Sequence, residues 1–440
     1  MRARLMGLLG IVLVFGCGGA DEELTTEELA AIGKLSPLPP LESDPTNAYA
    51  DDPAAAALGK KLFFETRYSG AIKVSADPST GALGAEGEKG KVACASCHDP
   101  GAAFMDRRSN PNNVSLGVAY TTRNTPSLVN VAYYTWHGWA GKQDSLWTQA
   151  SLSPESSDNT GGDRCGYAHM LFTHYRAEYD AIFAEPLPAA LDPAAPDAAR
   201  FPAACKPKKT AADPDGPWEM MDPDDQQVIN RIMANQAKAV AAYERLLISG
   251  DAPFDRYVAG ETDALSGQAR RGLRLFIGKA ACVSCHSGPL FTDNKFYNDA
   301  VPQVGANVPA EDLGRFEDLT RALNHTFNSG SIYSDAPAIG KEKLAELAPV
   351  EADRGAFRTK GLRGVAETAP YFHNGSKATL LEVVEHYNAG GAAMGVVGTK
   401  DKMLVPLNLT RQEMDDLVAF LEALSGEPLP ADLTDPPELP

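Results

Sequence analysis

Two short stretches carry residue types able to hold a redox cofactor. They are CASCH at Cys94–His98 and CVSCH at Cys282–His286. Two thiols separated by about one helical turn can meet the two vinyl groups on one edge of a porphyrin. The next residue, histidine, can then swing onto the iron as its proximal ligand. A structural zinc would need four ligands close together, and neither motif has a second Cys or His pair nearby. A redox dithiol does not need the histidine. The pattern therefore predicts covalent c-type haem twice. Cys94, Cys97 and His98 take haem one; Cys282, Cys285 and His286 take haem two. Six histidines remain: His137, His169, His174, His325, His373 and His386. Spacing alone fixes none of them as a sixth ligand.

The elements that must position these motifs read as helices. In 226–249, apolar residues recur at Val228, Ile229, Ile232, Met233, Ala237, Val240, Ala241 and Leu247, a helical period. The stretches TLLEVVEHY and EMDDLVAFLEAL repeat the pattern, and few segments alternate as strands do. A weak internal repeat precedes the two motifs. ALGKKLFFE at 57–65 and RRGLRLFIG at 270–278 share Gly-x-x-Leu-Phe. The expected class is mainly α, with two haem domains packed together, long loops and few strands. The chain of 440 residues is long for one core. The expected divisions are an export signal at 1–17, a flexible acidic, Pro-rich tether at 18–50, an N-terminal haem domain at 51–260, a C-terminal one at 261–428 and a loose tail at 429–440. The Pro-, Ala- and Asp-rich segment 186–223 reads as a long surface excursion.

Arg2, Arg4 and the apolar run from Leu5 to Phe15 resemble an export signal, and Cys17 after Gly16 resembles a lipobox. The expected location is the periplasm, with a lipid anchor on the outer membrane. Of seven cysteines, Cys165 and Cys205 belong to neither the anchor nor a haem motif, and in an oxidising compartment a disulfide between them is expected. The net charge of −18 argues against nucleic acid and favours basic protein partners.

ACASCHD, TTRNTPSLVN, WAGKQDSLWTQA, ACVSCHSGP, GLRGVAETAPYFHNGS and ATLLEVVEHY together resemble the bacterial dihaem cytochrome c peroxidase and MauG family, across most of residues 55–427. The resemblance implies two cytochrome-c-like domains with a calcium ion between them. It implies that haem one meets hydrogen peroxide while haem two relays electrons. Trp139 falls on the family's tryptophan between the haems. Asn124, Thr368 and Pro370 fall on its calcium positions. Tyr387, fourteen residues after His373, falls where peroxidases have methionine and MauG has tyrosine; His386 is the alternative ligand. Two departures stand out. The loop SLGVAYTTRN has no distal histidine, which implies an open iron at haem one. Asn159 stands where the family has a glutamate, although O–O cleavage needs a group that moves a proton. Glu155, Asp158 and His137 are the candidate replacements.

Three functions follow. The first is a peroxidase that takes electrons from a small periplasmic donor protein. The second is a MauG-like oxidase that uses peroxide to modify residues of a partner protein. The third is an electron carrier without catalysis.

Overall fold

A computed structural model describes residues 24–74, 81–108 and 113–440. Cys17 and the export segment lie outside the described residues. Helices dominate. The strands are one antiparallel pair among the described residues, Phe296–Tyr297 against Phe357–Arg358. No helix among them is long and apolar enough to cross a membrane.

Two hydrophobic cores sit around two copies of one helix crossing. In the first, the Pro53–Phe64 helix crosses the long Pro223–Glu244 helix. Asp52 and Asp222 cap their N-termini, and Pro53 and Pro223 take the first helical position, where a missing N–H costs nothing. In the second, the Gly267–Ile277 helix, capped by Ser266, crosses Arg411–Glu422, which Thr410 and Glu413 close with a capping box.

Both crossings turn on a glycine of the repeat. A Cβ at Gly59 would lie 1.9 Å from Ala239 O, and one at Gly272 would lie 1.9 Å from Asp416 O. Only glycine permits that approach of backbone to backbone. The phenylalanine four residues on is duplicated too. Phe63 packs on Tyr243 at 5.3 Å and Phe276 on Phe420 at 5.2 Å. The Gly-x-x-Leu-Phe repeat is thus the footprint of a duplicated crossing. It pairs Ala239 with Asp416, Tyr243 with Phe420 and Glu244 with Leu421.

Several expectations are corrected. Residues 24–50 are docked, not a flexible tether. Thr26–Ile32 is a helix, Ile32 and Leu35 are buried in the second core, and Ser36 Oγ donates to Asp255 at 2.5 Å. Tyr133 and Arg245 then hold the carbonyls of Pro39 and Glu42. The 429–440 tail is likewise anchored: Tyr243 donates to Leu433 O at 2.6 Å and Lys60 to Asp432 O at 2.7 Å. Pro-rich composition removes backbone donors but leaves carbonyls and apolar side chains free to find partners. Segment 186–223 is no mere surface excursion, because Leu191, Phe201, Trp218 and Met221 are buried in the first core. The Cys165–Cys205 disulfide pins it, with Cα atoms 5.1 Å apart. One turn along the same helix, His169 holds the carbonyls of Leu191 and Phe201. Core membership also moves the division between units. Phe254 belongs to the second core, ahead of the expected boundary at 260/261, whereas Phe327 and Tyr333 pack on the first.

Candidate dihaem site

Cys94–Cys97 forms a single helical turn, and Cys282–Ser284 forms a tighter one. The following histidines are held alike. His98 Nδ1 lies 3.1 Å from Phe104 O; His286 Nδ1 lies 3.0 Å from Phe291 O and 3.1 Å from Lys360 O. A proton on Nδ1 satisfies each carbonyl and leaves the Nε2 lone pair free, the form an iron ligand requires. Burial pushes His98 down to about 4 and His286 in the same direction, so both rings stay neutral at physiological pH. Burial also pushes the thiols up, Cys94 and Cys282 to about 12 and Cys97 and Cys285 to about 11. Such thiols are not the ready thiolates of a metal cluster or an exchange dithiol.

A cavity of about 640 Å³ fits a large planar cofactor at the second motif. Cys282, Cys285 and His286 line it, with Phe276, Leu417 and Leu421 from the helix crossing. Arg358 and Lys360 form a cationic wall in the same cavity. Arg358 Nε is buried without a partner, and burial beside Arg358 pushes the Lys360 ammonium well down. A cofactor with an apolar face and carboxylate arms answers both features. The sequence reading missed these cations, since FRTKG carries no motif and only the fold turns the side chains inward.

Tyr387 faces this cavity and His386 does not. Consecutive helical residues point about 100° apart. On the Leu380–Asn388 helix, His386 Nε2 instead meets Asp299 O at 2.8 Å. The Tyr387 hydroxyl donates to Asp299 Oδ2 at 3.2 Å, and burial pushes that carboxyl up to about 7. Asp299 was not foreseen either.

Trp139 lies against the same cavity. Its indole N–H donates to Asn124 O at 2.6 Å, and Lys360 Nζ caps its ring at 4.6 Å. The Lys360 carbonyl accepts from His286, so Trp139 is one residue removed from the histidine of the second motif. Towards the first motif, Met105, Pro126 and Ser127 line the cavity, and the Pro126 carbonyl lies beside His98. His373 is buried, stacks on Phe357 at 3.7 Å and bonds Gln303 at 2.7 Å. The Asn124 amide donates to Pro370 O at 2.9 Å, while the Thr368 hydroxyl is tied to Val365 O.

Near the first motif, Asp158 O and Asn159 O accept from Ala119 and Val118, in the bend that follows Leu116, whose carbonyl lies 3.6 Å from Cys97 Sγ. The Asp158 carboxylate accepts from Ser157. Arg164 grips both oxygens of Glu155, at 2.8 and 2.6 Å. His137 is buried with Nδ1 unpartnered beside Arg358, Lys343 and Lys360.

Fold and site together define a dihaem c-type cytochrome. The profile described as di-haem cytochrome c peroxidase matches residues 53–263. The cytochrome-c peroxidase IdrP1 of Denitromonas iodatirespirans is 35% identical over 94% of this chain and 93% of its own. The methylamine utilization protein MauG of Methylorubrum extorquens is 28% identical over 99% and 95%. The diheme peroxidase BthA of Burkholderia thailandensis superposes with a TM-score of 0.60 at 22% identity, over 91% of this chain and 94% of that one, which shows the shared fold. The chain belongs to the dihaem cytochrome c peroxidase and MauG family and is a peroxide-dependent oxidoreductase with two c-type haems.

Proposed function

We propose that the enzyme reduces hydrogen peroxide at haem one, with electrons arriving through haem two from a small periplasmic donor protein. Each peroxide takes two electrons and two protons and leaves as two waters. When bound, the haems supply the redox chemistry at both ends of this path. Cys94 and Cys97 tether haem one and His98 holds its iron; Cys282, Cys285 and His286 do the same for haem two. The Arg358 and Lys360 wall neutralises carboxylate arms in the haem-two cavity. Trp139 carries the electron between the sites, and its placement is the observation that bears most weight. Its indole is fixed by Asn124 O on one side and capped by Lys360 on the other. Asn124, Thr368 and Pro370 hold calcium through oxygen donors, supported by the contact of the Asn124 side chain with the Pro370 carbonyl. Export to the periplasm and a lipid anchor at Cys17 complete the reading, supported by the sequence of the first seventeen residues. Glu155, Asp158, Asn159 and His137 remain the candidates for placing peroxide and moving its proton. Asn159 cannot ionise, so it serves as a hydrogen-bonding group.

The second reading, a MauG-like oxidase acting on a partner protein, is favoured by Tyr387 in the cavity. A phenol-derived ligand stabilises ferric iron where a thioether would not.

Trp139→Phe tests the electron path. Both haems should remain, while electron transfer from reduced haem two to haem one slows at least ~10-fold, about 1.4 kcal/mol on the barrier. Flash or stopped-flow spectroscopy of the half-reduced protein reads this. An unchanged rate would remove Trp139 from the path.

A further inference from the structure

One buried acid has no role in this scheme. Glu244, the last residue of the long Pro223–Glu244 helix, is 2% exposed, and its Oε2 has no partner. A side chain so placed normally finds a hydrogen bond or is replaced by an apolar residue. The duplicated crossing says what it faces. Glu244 occupies the place that Leu421 holds in the second unit, and Leu421 lines the haem-two cavity. Tyr243 repeats Phe420 just before it, each against the phenylalanine of the repeat. Phe104 and Phe291, whose carbonyls hold the two proximal histidines, complete the correspondence by packing on Phe63 at 5.9 Å and Phe276 at 5.8 Å. Glu244 thus puts a carboxyl where haem two meets a leucine. It lies close enough to Cys94 for its charge to act on that thiol.

We propose that Glu244 is a positioning residue for haem one that couples its reduction to proton uptake. The inference rests on the reading that Cys94, Cys97 and His98 hold that haem. The step balances. Ferric haem one with ionised Glu244, plus one electron from haem two and one proton from solvent, gives ferrous haem one with protonated Glu244. Burial pushes the carboxyl up to about 8, so it is protonated at neutral pH until a positive centre beside it favours ionisation. Oxidised haem one is that centre. The uptake keeps the net charge of the buried site constant as electrons pass, which matters where water cannot screen it.

The other charged groups around the site have partners: Glu65 is held by Arg67 and Tyr175, and Asp106 by Arg108. Arg245, just past the helix end, pairs with Asp51, and Lys238 on the helix pairs with Asp335. On the Pro53–Phe64 helix, Lys60 reaches Asp432 O and Lys61 reaches Glu178. From the Arg164–His174 helix, Arg164 is bound by Glu155, and Tyr167 packs at a tilt on Tyr68, whose hydroxyl lies 3.8 Å from Cys94 Sγ. The Leu146–Leu152 helix has no ionisable side chain. Tyr243 donates to Leu433 O.

The test is a spectroelectrochemical titration of the holoprotein, Glu244→Gln and Glu244→Leu at a series of pH values. Because reduction takes up a proton, the haem-one midpoint should fall as pH rises, by up to about 59 mV per pH unit, in the interval below about pH 8. Both variants should flatten that slope, and haem two should keep its own. The same haem-one slope in both variants would overturn the proposal and assign the proton to a haem carboxylate. Leucine already fills the equivalent place in the second unit, and glutamine keeps the shape, so at least one variant reports on a folded protein. A haem count by pyridine haemochrome and the mass of the Cys94–Cys97 peptide separate this failure from that of the underlying reading. A missing first haem would overturn both.

Discussion

Replacing Cys94 and Cys97 together with alanine is expected to lower peroxide turnover more than ~1,000-fold, a barrier increase of about 4 kcal/mol. The holoprotein mass should fall by one haem. The argument runs from burial to function. His98 is neutral and held through Nδ1 by Phe104 O, so it can bind iron only if a haem is fixed beside it. Without thioethers that haem is held by one ligand and by packing. Haem two should survive, because Cys282, Cys285 and His286 draw on the other core. Electrons would still enter and reduce haem two, with no partner to discharge them into peroxide. A double variant that keeps wild-type turnover would move the peroxide site to haem two. The equivalent Cys282→Ala/Cys285→Ala variant provides the contrast, since it should retain a haem that meets peroxide but turns over only once per reduction.

Tyr387→Met has the next largest effect. Methionine with histidine raises a haem potential relative to oxygen-donor ligation, and axial ligands span about 0.8 V across haem proteins. The haem-two midpoint should therefore rise by on the order of a few hundred mV. Tyr387 lines the cavity, so the exchange changes the wall that would face the cofactor. The substitution also leaves the part-buried Asp299 without its phenol partner. Oxidation of a partner protein requires haem two to share the oxidising state, and a methionine ligand disfavours that. Electron delivery to peroxide should persist while any MauG-like oxidation is lost. Potentiometry and near-infrared spectra read the ligand directly. An unchanged potential would mean that Tyr387 does not touch the iron.

The two Cys-x-x-Cys-His motifs were legible because their chemistry is local. Two cysteines one turn apart and the next histidine need no tertiary context. The duplication was legible for a related reason. Gly59 and Gly272 are demanded by a backbone approach of 1.9 Å to a notional Cβ, so the residue type itself records the packing. Other residues escaped because tertiary structure decides their role. Arg358 and Lys360 sit in FRTKG, which reads as an ordinary polar stretch, yet a two-residue strand turns them into the cavity. Asp299 gains meaning only when the Leu380–Asn388 helix brings Tyr387 to it. Only the fold closes Arg164, nine residues on, over Glu155. The segment around Ile32 and Leu35 reads as solvated because prolines and acids surround it. Two buried side chains and a hydrogen bond to Asp255 were enough to dock it.

The measurement that bears most directly on the account is EPR and stopped-flow absorbance of the ferric holoprotein, before and after one equivalent of hydrogen peroxide. The absence of a histidine in SLGVAYTTRN predicts an open iron at haem one. A high-spin signal should be present in the isolated protein and vanish within milliseconds of mixing, with both haems changing because Trp139 joins them. Two low-spin haems that ignore peroxide, even after half-reduction, would contradict the account.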